Sequence, residues 1–176
     1  MEKNINVKKM ILNAILISIG ALLHQITPAL GLPMQPDFAL AMLFIIILIN
    51  SDYKTTIISS IIMGIITALT TKFPGGQLPN IIDKLVTAQF VYFMFKLIGS
   101  KINDNIKILI ALSFGTIVSG LVFLGSASIL VGLPGSFTTL VSLVVLPAAF
   151  MNILLGTVLY KAIGVALKAS GVLITK

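Results

Sequence analysis

Six long apolar runs, separated by short polar or glycine- and proline-rich breaks, leave this chain few ways to fold. They extend over about Met10–Ile26, Phe38–Asn50, Thr55–Thr71, Asn80–Ile98, Ile106–Val131 and Phe137–Leu167. A membrane-crossing helix needs roughly 20 apolar residues, within a range of about 17–25. The second run is short unless Met34–Asp37 extend it, and the last two exceed a single crossing, so they can tilt or protrude. No run sustains a period-two alternation, which argues against a β-barrel. Only 10% of residues are charged, against roughly 25% in a soluble domain. So few charges cannot cover a surface that faces water. The expected fold is all-α: one integral membrane domain spanning 1–176, with six transmembrane helices.

The basic residues set the orientation. All twelve are lysine. With both ends in the cytoplasm, Lys3, Lys8, Lys9, Lys54, Lys96, Lys101, Lys107, Lys161, Lys168 and Lys176 fall inside, and only Lys72 and Lys84 outside. Short inner loops carry such an excess of positive charge. The net charge of +7 does not imply nucleic acid, because the lysines form no patch and arginine, the bidentate reader of phosphate and guanine, is missing. The absence of cysteine removes disulfides and thiolate chemistry, and a lone histidine, His24, cannot build a histidine metal cluster. No metal or other cofactor is expected. The basic N-terminal stretch runs into an apolar segment with no small-residue cleavage site, so it reads as a retained first helix.

Proline marks the outer face. Pro28, Pro33, Pro36, Pro74, Pro79 and Pro134 fall in the three outer connections, and only Pro147 inside an expected helix. The inner connections, Ser51–Lys54 and Gly99–Asn105, are polar and plain. Stiff outer loops fit an outward-facing binding site, although prolines that merely end helices would give the same pattern. Ionisable groups at membrane depth are costly and often functional. Asp37, Lys72, Asp83 and Lys84, with His24 and Gln25, all cluster at the outer ends of the runs. Each has a plainer reading. Asp83, placed in the first turn of the fourth helix, can serve the helix dipole, the lysines can snorkel to the interface, and His24 can be an interfacial histidine.

An acid, a base and amide groups together suit a zwitterionic amino acid. A carboxylate would hold its ammonium and a lysine its carboxylate, while Gln77 or Asn80 would take a side-chain donor. Phe38, Phe73 and Phe137 flank the outer loops and could pack on an aromatic ligand. Asn152 and Gln89 are polar within spans. Such groups commonly tie helices together, and Asn152 could also line a pocket. Ala14, Ser18 and Ala21 form a small-residue face on the first helix where another helix, internal or from a second subunit, could approach closely. Gly115, Thr116, Ser119 and Gly120 do the same on the fifth, for internal packing.

The stretch Thr70-Thr71-Lys72-Phe73-Pro74-Gly75-Gly76-Gln77-Leu78-Pro79-Asn80-Ile81-Ile82-Asp83-Lys84 resembles the signature of the bacterial tryptophan transporter family, TrpP. Met34-Gln35-Pro36-Asp37 and Gly20-Ala21-Leu22-Leu23-His24 resemble its other recurring segments. The resemblance implies tryptophan uptake across the cytoplasmic membrane of a bacterium. Size and layout are also similar to the substrate-binding S-components of energy-coupling factor (ECF) transporters. That likeness implies an S-component-like bundle with an outward-facing site. It further implies docking on an ECF transmembrane subunit through Ala14, Ser18 and Ala21, with two ATPase subunits beneath, although the docking pattern here reads Ala-x-x-x-Ser. Under this reading Asp83 and Lys84 fix the amino-acid backbone, Asp37 gates or contributes charge, and Gln77 and Asn80 read the indole N–H. Phe73 and Asn152 complete the expected substrate site.

No Gly-x-x-x-x-Gly-Lys-Ser/Thr loop is present, so energy would come from partners or an ion gradient. A proton- or sodium-coupled carrier using Asp37 or Asp83 is the main rival, although no internal repeat supplies two halves. A non-transporting membrane assembly protein is the next. An enzyme is disfavoured, because no Ser/His set, acid pair or metal-ligand constellation stands out in the sequence.

Overall fold

The computed structural model describes residues 7–27 and 37–170. Pro28, Pro33, Pro36, Lys3, Lys176 and the proposed Met34–Pro36 extension lie outside the described residues. Six helices follow one another: α1 (Val7–Ile26), α2 (Phe38–Asn50), α3 (Tyr53–Leu69), α4 (Gln77–Ile98), α5 (Asp104–Leu130) and α6 (Phe137–Ala169). Three of them, α1, α5 and α6, are long and apolar enough to cross a membrane, and α2 and α3 are shorter apolar helices. Large apolar side chains cover the outside of the bundle, among them Ile15 and Leu22 on α1, Phe114 and Ile129 on α5, and Phe150 and Val158 on α6. The molecule is a helical membrane-protein bundle whose exterior suits lipid.

Local chemistry sets the helix starts. Asp37, Asp52, Asn103 and Ser136 each accept a backbone N–H from the first turn of α2, α3, α5 and α6, which satisfies donors that helix geometry leaves orphaned. Helix α4 begins at Gln77 without a side-chain cap. That start corrects the expected one at Asn80. Pro79 lies inside the first turn, where its missing N–H costs nothing, so Asp83 and Lys84 fall in the second turn and are buried rather than serving the helix end. Two helices contain a wider π turn, Ala111–Gly115 in α5 and Val141–Val145 in α6. The second lies just before Pro147, the one proline expected within a helix, and a relaxed turn there accommodates the hydrogen bond proline cannot donate.

Helix α2 is the axis of the bundle. Every residue from Ala39 to Ile47 is at most 1% exposed, wrapped by the neighbouring helices. Close approach depends on glycine. A Cβ on Gly115 of α5 would stand 2.7 Å from the Phe44 ring, and one on Gly156 of α6 would stand 2.5 Å from Leu112. At one end of the bundle Asn13 and Asn50 exchange hydrogen bonds at 2.9 and 3.3 Å, which sets α1 antiparallel to α2. With 13 residues, α2 is about 20 Å long, whereas the hydrocarbon core is about 30 Å thick. Helix α2 alone is therefore shorter than the hydrocarbon core, and its N-terminal end carries an aspartate, Asp37.

Candidate functional site

Asp37 is the N-cap of α2, its Oδ1 accepting the Leu40 N–H at 2.9 Å. The same side chain is the hub of a buried charged cluster. Lys84 Nζ of α4 donates to Asp37 Oδ2 at 2.7 Å and to Asp83 Oδ2 at 2.6 Å. Lys84 and Asp83 are 1% and 2% exposed, so neither lysine nor aspartate snorkels. His24 of α1 brings Nδ1 to 3.4 Å from Asp37 Oδ1. Thr87, one turn beyond Asp83, donates to its Oδ1 at 2.9 Å. Asn152 of α6, 1% exposed, accepts the Asp37 backbone N–H on Oδ1 at 3.0 Å and donates from Nδ2 to Thr116 of α5 at 3.2 Å. Helices α1, α2, α4, α5 and α6 thus meet at one polar knot. Lys84 stands seven residues into α4, about 10 Å from its start.

Over the knot lies a cavity of about 540 Å3, within the range of roughly 300–1,000 Å3 typical of small-molecule sites. Its floor is His24, Asp37, Asp83 and Lys84, and its roof is formed by Thr71–Pro74 between α3 and α4 and Val131–Pro134 between α5 and α6. Phe73 from the first of these loops meets Phe123 of α5 edge to face, with ring centroids 5.3 Å apart. Gly75 holds the same loop in a left-handed conformation (φ 72°) that leaves it against Val131, where a Cβ would come within 2.6 Å. Asn80 lines the wall. Its Nδ2 donates to the Gly76 carbonyl at 2.8 Å. One end of the space therefore holds the charged cluster, and the other holds Phe73 and Phe123 together with Lys72.

Of the residues expected from the sequence, Asp37, Phe73, Asn80, Asp83 and Lys84 line this cavity, and Asn152 lies directly behind it, bonded to the Asp37 backbone. Lys72 is also in the wall, donating to the Thr27 carbonyl at 3.0 Å. Gln77 is exposed at the start of α4 and does not line it, nor do Phe38 and Phe137. Thr87, Phe123 and the Asn152–Thr116 link were not anticipated as parts of the site. Thr87 carried a readable signal, one helical turn from Asp83, but Phe123 is an ordinary residue of an apolar span. On α1, Ala14 and Ser18 are exposed and Ala21 is half-buried, away from the face of Leu16, Ile17, Gly20 and His24 that packs inward. No group of residues able to hold a metal ion occurs among the described residues.

The class these features define is a polytopic helical membrane protein with a charged, small-molecule-sized cavity at one end of its bundle. The chain belongs to the tryptophan transporter TrpP family, whose model matches residues 6–168. It is similar to three proteins named probable tryptophan transport protein. The one from Clostridium perfringens is 50% identical over 96% of this chain and 97% of the relative. That of Clostridium acetobutylicum is 51% identical over 90% and 92%, and that of Bacillus subtilis 42% identical over 93% and 94%. No solved structure matches the chain significantly.

Proposed function

We propose that this protein takes up tryptophan across the cytoplasmic membrane, capturing it from outside in the cavity over Asp37, Asp83 and Lys84. The observation that carries the reading is the pairing of a charged floor with aromatic rings in one cavity, in a chain of this family. The cluster receives the amino-acid end of the ligand, and Phe73 and Phe123 pack on the indole. Asn80 Oδ1 takes the indole N–H. Gln77 stands outside the cavity, so that role passes to Asn80 alone. Asn152 holds the start of α2, and with it Asp37, in place. The lysine distribution supports both ends being cytoplasmic, which puts the cavity on the outer face.

We further propose that the chain works as the substrate-binding S-component of an ECF-type importer. Ala14 and Ser18 with the half-buried Ala21 offer a small-residue surface on α1 for the ECF transmembrane subunit, and two ATPase subunits supply the energy. A second reading, a stand-alone proton- or sodium-coupled carrier, is favoured by one observation: two neighbouring carboxylates within the bundle, Asp83 buried and Asp37 partly buried, the kind of group that couples ions. Calorimetric titration of the purified protein with L-tryptophan tests the site, and absence of binding would refute it. Uptake by vesicles containing this chain alone separates the mechanisms. Accumulation driven by an imposed ion gradient favours the carrier, and uptake only with co-reconstituted ATPase partners favours the importer.

A further inference from the structure

The wall between α5 and α6 is one side chain thick at one point. Gly120 of α5 and Val145 of α6 both line the cavity, and a Cβ on Gly120 would stand 2.5 and 2.7 Å from the two Val145 methyls. The helices therefore meet there with glycine backbone against a single valine. Gly120 lies between Thr116, which bonds Asn152 behind the floor, and Phe123, whose ring meets Phe73 at the roof. These three positions recur at helical spacing and share a face of α5. Val145 packs in one apolar cluster with Phe123 and Phe73, so it borders the aromatic end of the space. It is 1% exposed and β-branched on a helix, which leaves its side chain one strongly preferred rotamer. Phe73 and Leu133, on the roof loops, are only partly buried.

A cavity of about 540 Å3 does not discriminate among rings by volume. Discrimination needs a place where the wall cannot yield. We propose that Val145 is that place, the specificity-determining residue that limits the ring of the ligand, with Gly120 setting how far back it stands. This rests on the reading that an indole amino acid enters the cavity with its ring toward Phe73 and Phe123. The roof residues sit on loops, which yield more readily than packed helices. Val145 has the Gly120 backbone directly behind it and no second rotamer to adopt. The ring therefore stops at the valine methyls, and a substituent on the ring edge that faces α6 collides with them. The accepted class is aromatic amino acids whose ring is bare along that edge. Removing the methyls opens space in front of Gly120, which supplies no side chain to fill it.

The test uses the full-length protein in detergent or nanodiscs, with binding read by calorimetry. The probes are L-tryptophan and the four tryptophans that carry one methyl on a carbon of the six-membered ring. The wild-type protein is expected to bind at least one of the four about tenfold or more weakly than tryptophan, the scale of one methyl too many in a rigid apolar pocket. Val145→Ala should bring that analogue to within about threefold of tryptophan. Val141→Ala trims a residue of the same apolar cluster that does not line the cavity, and should leave the ratio as in wild type. Val145→Ile extends the stop by one carbon and should weaken tryptophan itself about tenfold. All four analogues bound within about tenfold of tryptophan by the wild-type protein would overturn the inference. So would an excluded analogue that Val145→Ala does not recover, or that Val141→Ala recovers equally, and so would Val145→Ile with wild-type affinity for tryptophan. Each of these leaves the transport reading standing, whereas failure of the wild-type protein to bind tryptophan would overturn both.

Discussion

Between Ala39 and Ile47, α2 is packed on every side by apolar neighbours and is at most 1% exposed, whereas Asp37, two residues earlier, is a charge held by groups from three other helices. The two regions adjoin, yet they are stabilised by opposite means. The apolar stretch gains from contact that is non-directional, and it tolerates change wherever volume is kept. The charged cluster gains little net stability from its ion pairs, because taking charges out of water offsets most of their attraction. What it gains is geometry: every member is oriented by another, and losing one leaves the rest uncompensated. A cluster of that kind is retained for what it does, while the apolar stretch is retained for what it holds.

The sharpest way to break that contrast is Lys84→Met. The variant takes from the buried Asp83 and the partly buried Asp37 the ammonium they share and is expected to lose about 3–5 kcal/mol of stability, read as a large drop in thermal midpoint in detergent. Adding Asp37→Asn and Asp83→Asn to it should recover most of the midpoint, because no net charge remains buried, while tryptophan binding stays lost. Recovery of binding together with stability would mean the cluster is merely structural. Next in size is Gly156→Ala in the apolar region, which drives a methyl to 2.5 Å from Leu112 and should cost about 1–3 kcal/mol. Its folded fraction should bind tryptophan with wild-type affinity, and a large loss of affinity would show that the two regions are not separable. Thr87→Val removes one hydrogen bond from Asp83 and is expected to cost about 1 kcal/mol, with a measurable fall in affinity. The smallest effect on the isolated protein belongs to Ser18→Leu on the exposed face of α1, within about 0.5 kcal/mol of wild type and with binding unchanged. Uptake by cells should nonetheless fall if that face docks a partner. Unimpaired uptake would count against docking there.

Much of this could be read in the sequence because lipid imposes a simple rule. Apolar runs must be helices, and the six runs are the six helices. The rule is silent about ends. Pro79 looked like a loop residue and is the third residue of α4, which moved Asp83 and Lys84 a turn deeper. The charged candidates stood out because Asp37, Asp83 and Lys84 are expensive in a span, so their mere presence is informative. Which partner each would choose was not legible, since Lys84 touches Asp37 across 47 positions and Asn152 touches it across 115. Gln77 was indistinguishable by type from Asn80, yet three residues along a helix turn one side chain to the cavity and leave the other exposed. Phe123 carried no signal, because phenylalanine in an apolar run is what lipid alone would select.

The π turns in α5 and α6 have a consequence for how such a cavity can vary. Each holds one residue more than an α-turn, and one residue corresponds to about 100° of rotation around the helix axis. Deleting a single codon within 111–115 would turn the C-terminal part of α5 by that angle. Thr116, Ser119 and Phe123 would swing off the cavity, while Ile108, before the turn, kept its place. The wall could thus be recut without substituting any residue in it, which makes chain length at these two points a coarse dial on shape.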